Sequence, residues 1–431
     1  MRKVSFFDIK NKNIFIKKLI FWLDNYKVFL FLNSNGNSKK KYHGEYDIIA
    51  GVDPVSFVRA NKKSFKNLRD YYCSKNDWIM GNVAYDLKNE TEKLSSKNTG
   101  IIKFDNIYFF QPRLLFIVKS SKLEIHHFKD ENVDFVFKDI MKTEFKIHNS
   151  KSKIVLKKRD TKKKYLEKIK YIQDHIKKGD IYELNYCQEF YSEGKVINPI
   201  MTYLLLNQKS LTPFSCLFKH NNRYLISSSP ERYIKGDRNN VISQPIKGTS
   251  KRYFDKTKDN ISKNNLIKSK KEISENIMTV DLVRNDLGII AKRGSVKVSE
   301  LCGIYTFKQV HQLVSTIKCK LEDNKDWIDV LNFTFPMGSM TGTPKIKSMQ
   351  LIDKFESFKR GMFSGSVGYV SPNSEFDFNV IIRAIIYDDF NKYISVPVGG
   401  AITFNSIPEK EYNECMIKAK AMFNSLFMVE K

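Results

Sequence analysis

The chain has 431 residues, 42% of them hydrophobic and 13% aromatic, which excludes a disordered polypeptide and supplies enough apolar surface for a sizeable core. Its formal charge of +27 would suit a phosphate-rich partner, but the lysines are spread along the whole sequence without a zinc-finger, helix-turn-helix or RNP-like signature, so no nucleic-acid partner is expected. No apolar run approaches the ~20 residues of a membrane span, so no membrane attachment is expected either.

In the opening segment, MRKVSFFDIKNKNIFIKKLIFWL, Lys10, Lys12, Lys17 and Lys18 interrupt the apolar stretch. A secretory signal needs an unbroken apolar core, so the protein reads as cytoplasmic. Residues 1–125 mix aromatic and β-branched runs with turn residues, as in KVFLFLNSNGNSKKKYHG and DNIYFFQPRLLFIVK, and predict antiparallel strands. Asp77–Leu94 predicts a strand entering a short helix. The lysine-heavy stretch from Lys142 to Lys164 holds the expected linker.

Tyr165, Ile169, Ile172 and Ile176 then fall on one face of a predicted helix, capped by Asp160 or Thr161 and ended by Gly179. Asp180–Phe190 alternates as a strand does, with Tyr182, Leu184 and Tyr186 on one face and Glu183 and Asn185 on the other. Next come Ser-Pro-Glu-Arg (Ser229–Arg232) and Pro-Ile-Lys-Gly-Thr (Pro245–Thr249), the second holding Lys247 in a tight loop.

Lys271–Leu287 lacks Gly and Pro and predicts a helix with Glu272 and Glu275 on one face. The loop Phe335–Lys345, FPMGSMTGTPK, lacks the spacing and ending of a Walker A motif, so ATP binding is not expected. Arg383 falls in the strand-like run FDFNVIIRAIIY, where a guanidinium suits a carboxylate. Gly399-Gly400-Ala401 can bring backbone N–H groups close to an anion. Ser406 and Glu409 predict a capping box opening a helix with Glu411, Glu414 and Lys418 on one face.

Two carboxylate pairs on two helices form a hard-oxygen set suited to Mg²⁺. The six cysteines (Cys73, Cys187, Cys216, Cys302, Cys319, Cys415) show no CxxC or zinc spacing and read as reduced core residues. Because these motifs come from distant segments, their convergence implies one interwoven α+β domain.

The ordered blocks SPER, PIKGT, ENIMTVDLVRNDLG, FPMGSMTGTPK, GSVGY and GGAITFNSIPEKEYNE resemble the chorismate-utilising enzymes, the group holding anthranilate synthase component I and aminodeoxychorismate synthase component I. The resemblance is dense from about Lys163 to Phe427 and thinner before. It implies an anthranilate-synthase-like α+β fold, a two-sheet β core wrapped by helices with N- and C-terminal parts interlocked. Residues 1–125 would be a divergent N-terminal region and 160–427 the chorismate-binding catalytic region. It further implies Mg²⁺ held most closely by Glu275 and Glu414, with Glu272 and Glu411 bridging through water or moving protons. Tyr369, Arg383 and Lys418 would hold the enolpyruvyl carboxylate, with Thr341 near the pyruvyl group and Gly399 and Gly400 approaching an anion. Gly248 would let its loop approach the substrate, Thr249 would hydrogen-bond the ring carboxylate, and Glu231 would shuttle the Lys247 proton.

Three positions discriminate within that family. Isochorismate and salicylate synthases carry a water-activating lysine where this chain has Glu183, and ammonia-using members usually carry Gln there. Anthranilate synthases usually have alanine at the position of Lys247; a lysine there resembles the aminodeoxychorismate synthase branch. The family's histidine before Leu-Val-Ser is Gln312 here, with His311 displaced by one residue. Met337 and Ala401 also depart from the usual glycines. The implied reaction is amination of chorismate at ring carbon 4, giving 4-amino-4-deoxychorismate for para-aminobenzoate and folate synthesis; anthranilate synthase component I or another amino-chorismate synthase is the alternative. No cysteine has the setting of a glutaminase nucleophile, so ammonia is expected from a separate glutamine amidotransferase chain, in a heterodimer.

Overall fold

The computed structural model describes residues 2–37, 43–92, 94–145 and 154–427. Part of the expected linker, residues 146–153, lies outside the described residues. Among the described residues twenty strands are joined by antiparallel ladders into one continuous network, with helices packed around it.

The buried strand Val28–Asn33 shows how the apolar sequence is divided. Val28 and Leu30 enter one apolar cluster while Phe29 and Phe31 enter a second. Successive side chains point to opposite faces, so a strand covered on both sides reads as an unbroken apolar run. The strand Glu183–Glu193 does the same: Leu184 and Tyr186 join the second cluster and Cys187 the first. It begins three residues later than its sequence pattern suggests, yet the alternation of Glu183 and Asn185 against Leu184 and Tyr186 holds.

N- and C-terminal segments share ladders. Val28–Asn33 pairs with Phe214–His220, and Ile79–Val83 pairs with Ser366–Val370. Asp77–Leu94 follows its expected course, a strand leading into a 3-10 turn at Tyr85–Leu87 and a short helix at Lys88–Thr91. The helix Lys162–Lys177 is capped by the Thr161 side chain, which accepts from Lys164 N, and buries Tyr165, Ile169 and Ile172. Gly179, at φ 81°, takes the left-handed turn that follows.

Two helices bring their polar faces to one place from opposite clusters. Lys270–Gly288, capped by Ser269, places Val280, Val283 and Leu287 in the first cluster. Pro408–Phe427 places Cys415, Ala419 and Met422 in the second. The predicted capping box at its start does not form. The Ser406 hydroxyl instead accepts from Thr403 N at 3.1 Å, and Ile407 O accepts the first helical N–H groups, because the helix opens at Pro408.

Arg383 is also not on a strand. Phe376–Asn379 and Ala384–Asp388 are separate strands, and Arg383 sits between them at φ 50°. A non-glycine residue in that region costs on the order of 1 kcal/mol.

Candidate active site

One cavity of about 810 Å³ gathers the sequence-predicted site residues, with two exceptions, Thr341 and Tyr369. Its wall begins at the PIKGT loop. Gly248 has φ 96°, and a Cβ there would lie 3.1 Å from Leu313 and 3.2 Å from Glu272. Glycine therefore allows both the turn and the close approach of the loop to the helix Lys270–Gly288. Asn276 Nδ2, on that helix, donates to the Lys247 carbonyl at 3.1 Å and fixes the loop in place.

Lys247 is buried, and its Nζ lies 2.5 Å from Glu183 Oε1 on the strand Glu183–Glu193. Burial pulls the ammonium pKa down, but Glu183, with Glu275 and Glu231 further off, more than offsets this and holds it above the ordinary lysine value. Glu231 also faces the cavity. Burial pushes its carboxyl up to about 7, against a hydrogen bond from Ser339 Oγ at 2.5 Å.

The carboxylate pairs share the same cavity. Lys271 Nζ lies 3.0 Å from Glu411 Oε1 and 3.7 Å from Glu275 Oε1, and Lys418 Nζ lies 2.6 Å from Glu414 Oε1. Burial pushes Glu275 up to about 8, and burial with Glu414 nearby also raises Glu272. Glu414 is lowered by the Lys418 ammonium beside it. Among the described residues no three carboxylate, imidazole or thiol groups form a ready-made cation cluster; lysine ammonium groups lie against the carboxylates instead. The donor set nevertheless fits a hard divalent cation. Glu275 Oε1 is buried without a hydrogen-bond partner among the described residues, and all four carboxylates border one space.

An anion end adjoins the carboxylates. Arg383 is half-buried, and desolvation pulls its guanidinium down to about 10; it donates to the Lys418 carbonyl at 3.3 Å and makes no ion pair among the described residues. A desolvated guanidinium without a carboxylate partner favours an anionic ligand. Lys418 Nζ also donates to Gly399 O at 3.1 Å. A Cβ on Gly400 would lie 3.4 Å from Lys418 Nζ and 3.8 Å from Glu414 Oε1, so the glycine keeps the floor open.

Tyr369 lies elsewhere. It lines a separate cavity of about 560 Å³ with Tyr46, Arg232 and Asp377, and its ring centroid is 5.9 Å from those of both Tyr46 and Trp78. Phe363 lines the active cavity instead. Thr341 is fully buried, and its hydroxyl donates to Gly338 O at 3.1 Å within its own loop; Ser339 and Met340 of that loop face the cavity. Sequence reasoning also missed Lys271, although its position four residues before Glu275 marks it as a same-face neighbour.

Among the described residues no helix is long and apolar enough to cross a membrane. A rice protein called probable aminodeoxychorismate synthase, chloroplastic, is 38% identical over 275 residues, 63% of this chain and 30% of that protein. Aminodeoxychorismate synthase component 1 of Escherichia coli K12 is 37% identical over 266 residues, 62% of this chain and 58% of that protein. The chain thus spans less than two thirds of the length of these relatives. In fold it is similar to anthranilate synthase component I from Streptococcus pneumoniae, with TM-score 0.76 at 23% identity, covering 87% of this chain and 91% of that one. The family described as chorismate binding enzyme matches residues 27–424, and this chain belongs to that family.

Proposed function

We propose that the chain is the chorismate-aminating component of an aminodeoxychorismate synthase, replacing the 4-hydroxyl of chorismate with nitrogen from ammonia. The carrying observation is Lys247, a buried amine in the same cavity as Glu231, the carboxylate pairs and Arg383. Chorismate bears two carboxylates. Arg383 and Lys418 suit its enolpyruvyl carboxylate, and the Thr249 hydroxyl beside Gly248 suits the ring carboxylate.

Glu275 and Glu414 would hold Mg²⁺ most closely, with Glu272 and Glu411 behind them; the bound ion supplies neutralisation of the ring carboxylate and withdraws electrons from the ring. The Lys247 amine bonds to ring carbon 2. The two ring double bonds each shift one place toward carbon 4, and the C4–O bond breaks. Ammonia then bonds to carbon 4, the double bonds shift back, and the C2–N bond breaks with its electrons returning to Lys247. Glu231, poised near neutrality, carries a proton in this exchange. A separate glutamine amidotransferase chain would supply the ammonia, since none of the six cysteines lies in a GxCxG-type sequence.

The test is product identification after incubation with chorismate, Mg²⁺ and ammonium. The expected product is 4-amino-4-deoxychorismate without released pyruvate; stoichiometric anthranilate and pyruvate would reverse the assignment. Glutamine should replace ammonium only when a glutaminase is added.

A further inference from the structure

Lys247 must lose a proton before its nitrogen can bond to carbon, and three acids act on it. Glu275 approaches from the helix Lys270–Gly288, Glu231 from the SPER turn, and Glu183 from the strand Glu183–Glu193. Only Glu183 is in contact, with its Oε1 2.5 Å from Lys247 Nζ. Its backbone is held by pairing with Thr343 and by the Ser348 hydroxyl donating to its carbonyl at 3.3 Å. A Cβ on Gly342 would come within 2.2 Å of that same carbonyl, so the loop is packed tightly against it.

We propose that Glu183 is the proton acceptor that frees the Lys247 amine for attack and returns the proton when the amine departs. The inference rests on the nucleophilic reading of Lys247. Transfer of one proton along this contact turns a buried ion pair into two neutral groups. Loss of the proton to solvent would instead leave the Glu183 charge buried without its partner, the costlier state.

The step balances. Glu183 takes a proton from the ammonium, and the neutral amine bonds to carbon 2 and becomes a secondary ammonium. Glu231 protonates the departing hydroxide to water. Ammonia bonds to carbon 4, the C2–N bond breaks to regenerate neutral Lys247, and Glu183 restores its proton. The new carbon-4 ammonium passes a proton to Glu231. Two acids thus divide the work that the sequence assigned to Glu231 alone.

The test compares two pH profiles in one protein. The first is formation of the chorismate adduct on Lys247, read by mass spectrometry after rapid quenching. The second is acetylation of Lys247 by acetic anhydride without substrate, which reports the neutral amine. In the parent, adduct formation stays flat below about pH 7, where Glu231 keeps the proton it donates, while acetylation still rises, because no proton leaves the pair. In Glu183→Gln, adduct formation rises about tenfold per pH unit up to about pH 7, in parallel with that variant's acetylation, and levels off above it as Glu231 loses its proton. Retained chorismate binding and melting temperature show that the variant folds. A parent profile with unit slope below about pH 7, or a flat profile in Glu183→Gln over that range, overturns the proposal. Lys247→Arg separates the two readings, since arginine keeps the charge without a usable nucleophile. If Lys247→Arg aminates chorismate within a few-fold of the parent, the nucleophile and its base both fall. If it is inactive while the parent shows unit slope, only the role of Glu183 falls.

Discussion

Lys271 Nζ stands 3.0 Å from Glu411 Oε1, tying the helix Lys270–Gly288 to the helix Pro408–Phe427. One ammonium thus links the two Glu-x-x-Glu pairs, since Glu275 Oε1 is 3.7 Å away on its other side. Lys271→Met should lower the melting temperature in chelator by about 2–5 °C, because buried carboxylates lose their counter-charge. Added Mg²⁺ should then stabilise the variant more than the parent. Equal Mg²⁺ responses by scanning calorimetry would contradict this.

Glu275→Gln and Glu414→Gln should each lower turnover by at least about a thousandfold while leaving the fold intact. Their effects on the metal-free protein should differ. Glu275 is pushed up to about 8 by burial, so its amide removes an uncomfortable charge and should not destabilise. Glu414 is lowered by Lys418, so its amide leaves a half-buried ammonium without its partner and should destabilise. Thermal melts in chelator at pH 8 check the contrast; equal losses would count against it.

Glu231 gives a pH prediction. Its folded value of about 7 lies above its ordinary 4.5, so the native state binds more protons than the unfolded state between those values. Stability from this group is therefore fully present below 4.5 and is lost as pH rises toward 7. Glu231→Gln should flatten that decline in denaturant titrations from pH 5 to 7. It should also remove the fall in turnover above about pH 7 expected of a protonated donor, at a cost of about a hundredfold or more in rate. A parent whose turnover is unchanged from pH 7 to 9 would refute the donor role.

Gly400→Ala adds a methyl at ordinary contact distance, 3.4 Å from Lys418 Nζ and 3.8 Å from Glu414 Oε1. The fold should tolerate it, with melting temperature within about 2 °C of the parent. The floor next to the anion end is narrowed, however, so KM for chorismate should rise about tenfold with a smaller change in kcat. An unchanged KM would show that substrate does not reach this floor.

What could be read from the sequence depended on the range of the interaction. Helix faces are local, so Glu272 with Glu275 and Glu411 with Glu414 were legible, as was the alternation placing Glu183 opposite Leu184. Arg383 was misplaced on a strand because VIIRAIIY is apolar on both sides of a break between two strands that β-propensity does not register. Tyr369 lies on Ser366–Val370, a strand buried throughout, so which cavity its ring meets depends on Tyr46 and Trp78 from far along the chain. The Ser406 capping box matched a local pattern, but Pro408 set the helix start instead. The pairing of Lys247 with Glu183 crosses 64 residues, and no periodicity joins the two.

The ladder between Ile79–Val83 and Ser366–Val370 also governs how the chain is born. A ribosome would release the first of these strands nearly three hundred residues before its partner. Until then its edge is unpaired and available to other chains, and closing so long a loop is slow. The cavity, whose last carboxylates arrive on the helix Pro408–Phe427, can assemble only after that helix has emerged. Assembly of the site is thus a late step in synthesis of this region, and holding chaperones rather than sequential strand-by-strand closure should determine the yield of active protein.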